Sequence, residues 1–361
     1  MQPDEILSIS GPPGWKFGGE EGDVVIKSAV YLARNFKDYR FPHTASREEA
    51  REVADIVCGA VKPLFPEVVN LDDLTALDMQ VLCDKRYISR CFIKDTQGKR
   101  LLLKNGGKDS VAVNEEDHAL ISFKNVGLNF SGLLEKAFKV DDMLDESAEI
   151  AYDDNYGYIT SLPSRMGTGL RATVLLHLPA LSYTKNIKNT TDVANKLGMD
   201  FVPLYGTKEK EWQGNLFLLS NHKTIGFPEE DIIKRVENFA KEIAASERRG
   251  REALLRYRKE MTADVAYRAM GLMERANMLT EKEALDGVSK LQLGSDLGLI
   301  DKIPNDLFGA IYTKSRTSFL RSVAGDVVKD VDHLRAVVVT SAIAKMGSGT
   351  DGDDRSRKKA N

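Results

Sequence analysis

DDNYGYITSLPSRMGTGLRATVLLHLPAL, Asp153 to Leu181, is the stretch on which the reading of this chain turns. It opens acidic, alternates briefly through Tyr156, Tyr158 and Thr160, and breaks at Pro163 into a turn of small residues, Gly167-Thr168-Gly169. After Arg171 it resumes as an apolar run from Val174 to Leu178 and stops at Pro179. A buried strand on each side of a glycine turn, with a cation just beyond it, brings backbone and positive charge close to where a phosphate can sit.

Composition bounds the rest. At 361 residues, 42% hydrophobic and 29% charged, the chain can bury one large core or two. A net charge of -3 gives no diffuse attraction for nucleic acid or an anionic membrane, so neither is expected as a partner. No apolar run approaches the roughly 18 residues of a membrane span. Met1 to Gly22 lacks the charged-then-apolar pattern of a signal peptide, and the expected location is cytoplasmic. Cys58, Cys83 and Cys91 have no metal-ligand spacing and read as buried thiols of a reduced compartment; no metal site is expected from them.

Residues 1–22 read as a flexible lead-in and 347–361 as a disordered polar tail. Asp23 to Pro42 is extended, and Ser46 with Glu49 forms a capping box that opens a helix carrying Val53, Ile56, Val57 and Ala60. A second helical pattern spans Asp72 to Tyr87. Leu101 to Leu103 and Ser110 to Val113 flank Asn105-Gly-Gly-Lys, the pattern of a hairpin. Helices are expected over Ser131 to Ala148 and Thr190 to Leu197, and strands around Phe201 to Leu204 and Leu216 to Leu219. Pro228 starts a helix whose apolar stripe runs from Ile232 to Ile243, continued by the charged run Ser246 to Met261 as a solvated bridge. Further helices follow over Ala263 to Ile300, with a capping box at Thr280 and Glu283, and over Val327 to Lys345.

GYITSLPSRMGTGLR resembles G-Y-x-T-x-C-P-x-N-x-G-T-G-L-R, the signature of the ATP:guanido phosphotransferases, with Leu162 in place of Cys and Arg165 in place of Asn. The continuation RATVLLHLPAL, the element LARNF and the motif Asn114-Glu-Glu-Asp-His118 are similar to the bacterial branch, the protein-arginine kinases. The resemblance implies an α+β guanido-kinase fold: a small helical N-terminal lobe (23–75), an antiparallel sheet flanked by helices in a catalytic-type domain (76–255), and a helical domain (262–346) used for dimerisation and phosphoarginine binding. It also implies ATP with Mg2+ if the chain is active and no cofactor otherwise. The implied partners are arginine or phosphoarginine in proteins, a second copy of the chain, and components of protein quality control.

Glu115 and Glu116 are the carboxylates expected to hold or deprotonate a guanidinium, and Arg171 the cation expected on the nucleotide. The family's other cradle arginines fall on Ala29, Tyr31, Leu120 and Val202, and the acidic loop residue on Thr207. Removing one transition-state donor costs about 10² to 10³ in rate. Four absent cations imply a deficit of at least roughly 6 kcal/mol, or about 10⁴-fold. Basic residues nearby, Lys27, Arg86, Arg165, Lys208 and Lys210, are candidates for a rebuilt cradle, with Arg86, Arg165 and Lys208 assigned to nucleotide binding. In the C-terminal part Val331-Asp-His-Leu-Arg-Ala336 matches the phosphoarginine pattern R-D-x-x-R-A except at Val331, which makes Asp332 and Arg335 the candidate pocket. The leading expectation is a protein-arginine-kinase homologue with weak or no phosphotransfer, acting as a binding or regulatory subunit. The alternative is an active protein-arginine kinase with a rearranged cradle, and third comes a kinase of free arginine or creatine, which has no use for the C-terminal part.

Overall fold

The computed structural model describes residues 15–90, 92–93, 95–325 and 330–349. Most of the expected lead-in, Cys91, the start of the last expected helix and most of the expected tail lie outside them. The strands are β1 (Val25–Arg34), β2 (Glu67–Asn70), β3 (Arg100–Lys104), β4 (Asp109–Val113), β5 (Ala119–Val126), β6 (Tyr152–Asp153), β7 (Gly157–Tyr158), β8 (Leu170–His177), β9 (Met199–Pro203) and β10 (Leu216–Asn221). Eight of them form one sheet in the order β2-β3-β4-β5-β1-β8-β10-β9, with every neighbouring pair antiparallel. The helices are α1 (Arg47–Val61), α2 (Ala76–Asp84), α3 (Leu133–Asp145), α4 (Pro179–Tyr183), α5 (Ile187–Lys196), α6 (Glu229–Tyr257), α7 (Lys259–Arg275), α8 (Glu281–Asp296), α9 (Leu307–Lys314), α10 (Thr317–Ala324) and α11 (Val331–Gly349). No helix among the described residues is long and apolar enough to cross a membrane.

Alternation along β1 gives the sheet two unlike faces. Val30 and Leu32, in register with Phe123 and Ile121 of β5, lie in the main apolar core with Val53 and Val57 of α1, Val140 of α3 and Val236 of α6. The opposite face carries Tyr31 beside Ser122 and Arg171, and Ala29 beside Lys124 and Thr173. Of residues 23–75, α1 is the helical part, while β1 sits at the centre of the sheet and β2 at its edge.

Local signals act where they were expected. Ser46 and Glu49 cap α1 reciprocally, and Thr280 and Glu283 cap α8. The hairpin turn between β3 and β4 takes positive φ at Asn105, Gly106 and Gly107, and a Cβ on Gly107 would lie 1.8 Å from the Tyr87 ring. One expectation fails: the glycine turn has a buried strand only on its downstream side. Upstream, β7 is two residues long and pairs only with β6 in the named sheets, because Asp153 folds back on the amides of Asn155 and Tyr156 and Pro163 opens a 3-10 turn.

The charged run after Ser246 is also not a solvated face throughout. Helix α6 continues unbroken to Tyr257, and Glu247, 0% exposed, accepts from the amides of Ala180 and Leu181 at 2.9 Å each. Arg251 donates to Glu247 at 3.0 Å and reaches Asp296 of α8 at 3.1 Å. A second core then joins Ile26, Leu175 and Leu216 of the sheet to Met273, Val288, Phe308 and Val339 of the C-terminal helices. Cys58 and Cys83 are free and buried, and burial pushes the Cys83 thiol up to about 12.

Because Arg251 compensates a carboxylate with no access to water, Arg251→Met is expected to destabilise the protein by about 3–5 kcal/mol in urea unfolding. The double variant Arg251→Met with Glu247→Gln should recover more than half of that loss; equal losses in the two variants would show that the ion pair is not what holds α6.

Candidate functional site

The tripeptide Arg34-Asn35-Phe36 leaves the end of β1 and organises both candidate motifs. Arg34, 1% exposed, donates from Nε and Nη2 to the two carboxylate oxygens of Asp141 at 2.7 and 2.6 Å. Its Nη1 donates to the carbonyls of Ala33 and Thr168, at 2.8 and 3.1 Å, and its guanidinium lies 3.4 Å from the Tyr158 ring centroid. The glycine turn is thereby tied to α3 through one side chain. Gly169 has φ +68, and a Cβ there would fall 2.6 Å from the Ala33 carbonyl and 2.7 Å from Arg34 Nη1, so glycine is required by both backbone and space.

Asn35 and Phe36 hold the acidic motif. Asp117 accepts from Asn35 Nδ2 and from the Ser161 amide at 2.7 Å each, and Asn35 Oδ1 accepts from the His118 amide at 2.9 Å. His118 Nδ1 accepts from the Phe36 amide at 3.0 Å, which leaves the proton on Nε2 to donate to the Arg40 carbonyl at 2.8 Å. Burial lowers the His118 pKa, in keeping with this neutral tautomer. Asp117 and His118 are thus the buried supports of the motif, and Glu115 and Glu116 are the half-buried pair that they present.

Glu115 accepts from the Ser89 amide at 3.3 Å; burial first, and then the charge of Glu116, raise its pKa. Glu116 pairs with Arg165 at 3.0 Å, and its carbonyl accepts from Ser161 Oγ. Arg171, on β8, donates from Nη2 to Ser220 Oγ at 3.1 Å, while its Nε is buried and has no partner among the described residues. Burial and then the charge of Arg165 lower the Arg171 pKa. Arg165 and Arg171 line one cleft of about 30 Å³ with Asp200, Asn221 and His222. Of the expected residues the structure therefore brings together Glu115, Glu116, Arg165 and Arg171.

The others lie differently. Arg86, at φ +61, donates to the Leu204 carbonyl at 3.2 Å and stacks 5.2 Å from the Tyr205 ring, reaching the site face through the loop after β9. Lys208 is exposed at the start of a 3-10 turn, where its amide donates to Glu211 at 3.3 Å, and it makes no ion pair among the described residues. Arg335 is 1% exposed and spends four donors internally: Nε on the Ser315 carbonyl at 2.6 Å, Nη1 on the Leu279 carbonyl at 2.7 Å and on Asp332, and Nη2 on Thr317 Oγ1 at 2.9 Å. Asp332 is the partner of Arg335 across one helical turn. Ala29 is buried between Lys124 and Thr173, Tyr31 lies between Ser122 and Arg171, Leu120 pairs with Ala112, and Val202 is exposed on the edge strand β9. Arg34 was not singled out by sequence reasoning, although its position inside LARNF was the available signal.

This fold and pair of motifs are those of the guanido phosphotransferase family. The sequence model of the ATP:guanido phosphotransferase C-terminal catalytic domain matches residues 52–250, and the chain belongs to that family. The model of the protein-arginine kinase McsB C-terminal domain matches residues 259–354. Protein-arginine kinases of Bacillus cereus (strain AH187) and Bacillus anthracis are each 33% identical over 347 residues, 94% of this chain and 98% of those proteins. The solved structure of a lombricine kinase covers 69% of this chain and 71% of its own at TM-score 0.55 and 20% identity. A duplicated taurocyamine kinase from Schistosoma mansoni with bound transition state analog components covers 80% of this chain and 49% of its own at TM-score 0.58 and 18% identity. At those identities the two structures speak to the fold.

Lys124, on the site face, is buried, and burial lowers its pKa from 10.5 to about 8. The unfolded chain then binds more protons than the native one between those values, so this group's contribution makes stability rise with pH from about 8 toward 10.5. Urea unfolding at pH 7.5 and 9.5 should show a smaller rise in Lys124→Met than in the parent; an unchanged rise would assign the effect to other groups.

Proposed function

We propose that the chain is a protein-arginine-kinase homologue with little or no phosphotransfer, retained as a subunit that binds arginine or phosphoarginine in proteins. The observation that carries this reading is the make-up of the site face: a methyl group at Ala29, a phenol at Tyr31 and aliphatic side chains at Leu120 and Val202 stand where the resemblance calls for arginines. Of the two cations in the cleft, Arg165 is already neutralised by Glu116. With four of the expected cations absent and one of the remaining two paired, the face offers little charge to a triphosphate with its Mg2+, and no catalytic step is drawn through one. Phosphoarginine asks less. Its guanidinium side meets Glu115 and takes the place of Arg165 on Glu116, and its phosphoryl group meets Arg171, whose Nε is without a partner among the described residues. Arg335, spent on three backbone and side-chain acceptors besides Asp332, is a helix staple in this reading, so the ligand seat is at Glu115 and Glu116.

Calorimetry is expected to give no micromolar binding of ATP with Mg2+ and tighter binding of a phosphoarginine peptide. Glu116→Gln should weaken the peptide by at least tenfold and Arg335→Ala should alter stability instead. Transfer of radiolabelled phosphate from ATP to protein arginine, abolished by Arg171→Ala, would replace this reading by an active enzyme with a rearranged cradle.

We further propose a homodimer through α7, whose Met261 and Leu272, 55% and 41% exposed, lie three helical turns apart on one stripe. Light scattering should find a dimer at tens of micromolar that Met261→Glu with Leu272→Glu converts to a monomer; a monomeric parent chain would remove the proposal.

A further inference from the structure

A second cavity lies outside the site just described. It has a volume of about 260 Å³ and opens between the end of α5, the start of β9 and the first turns of α6. Met199, Ile232 and Val236, buried members of the main core, belong to its lining, and Phe227 adds an exposed aromatic ring. Lys196, Lys223 and Arg235 also line it, and no carboxylate does among the described residues. Arg235 is held in place on two sides: its Nη2 donates to the Leu197 carbonyl at 3.1 Å, and its guanidinium lies 4.7 Å from the Phe227 ring centroid.

Three cations around an apolar lining with no counter-charge describe a selective environment. A neutral apolar ligand leaves the positive charges unused, and a bare anion leaves the apolar surface wet. A ligand with both parts uses the whole lining, and a planar guanidinium already fixed on an aromatic ring adds a flat surface for stacking. The volume sets the size at a single ring with its anionic group, below that of drug-sized ligands. We infer that this cavity is a binding site for a small aryl anion, an aromatic ring carrying a phosphate or carboxylate group. It is separate from the Arg171 cleft. Asn221 lines both, but its side chain is committed to β8, accepting from the Ala172 amide at 2.8 Å and donating to the Leu170 carbonyl at 3.0 Å.

Phenyl phosphate, inorganic phosphate and benzyl alcohol titrated into the full chain by calorimetry test this. Phenyl phosphate is expected to bind at least tenfold more tightly than either of the others. The double variant Lys196→Glu with Lys223→Glu, both exposed and expected to keep the thermal midpoint, should weaken it at least tenfold, and Phe227→Ala should weaken it about threefold through the lost ring contact. Arg171→Ala should leave it unchanged, which separates this site from the one proposed for phosphoarginine. Equal affinity for inorganic phosphate, insensitivity to the lysine variant, or loss in Arg171→Ala would each overturn the inference. So would an acidic peptide that binds with the lysine dependence while phenyl phosphate does not, since the surface would then serve a protein partner.

Discussion

Arg34 and Asp141 form a two-pronged ion pair in the interior, and the site face is registered against it. Two charges withdrawn from water are tolerated only when their hydrogen-bonding capacity is met, and Arg34 meets its own with a carboxylate, two carbonyls and an aromatic ring. That requirement leaves little freedom. The guanidinium plane sets the distance from α3 to β1, and its Nη1 sets how closely the glycine turn can approach. The next two residues of the same tripeptide then set Asp117 and His118. Motifs separated by some fifty residues are therefore held by one short segment at the end of the central strand.

The same sheet does two incompatible jobs by giving each a face. Val30 and Leu32 belong to a dry core, while Tyr31, one residue away, stands beside Arg171, Ser122 and the buried Lys124. Such a polar face is costly unless a ligand or internal partners answer its charges. Part of the answer is internal: Glu116 takes Arg165 and Ser220 takes one edge of Arg171. The acidic motif shows the same economy, with Asp117 and His118 serving as buried supports so that Glu115 and Glu116 can stay half-exposed on the site face.

The C-terminal helices are bound into this body. Their core includes Leu175 and Leu216 of the sheet, and Arg251 bridges Glu247 of α6 to Asp296 of α8. Tyr205, in the loop after β9, meets Tyr312 of α9 through its hydroxyl and lies beneath the guanidinium of Arg316 at 4.4 Å. A side chain at the rim of the site is thus packed against the helices that carry Arg335.

What the sequence determined by itself is what near neighbours in the chain decide. The capping boxes at Ser46 and Thr280, the hairpin turn at Asn105 and the apolar stripe of α6 were legible because each depends on residues within a turn or two of one another. The family motifs were legible because Gly169 and Asn114-Glu-Glu-Asp-His118 have few acceptable substitutes in their strained or crowded positions. Only the tertiary structure decided which charges are free. In the sequence, Arg335 and Arg171 are both arginines of ligand-binding patterns, and Glu247 is one charge in a solvated-looking run. In the fold, carbonyls at Ser315 and Leu279 consume Arg335, amides at Ala180 and Leu181 consume Glu247, and Arg171 keeps a donor unspent. A side chain's availability is set by the hydrogen-bond partners that other segments deliver to it, and those segments come from tens of residues away.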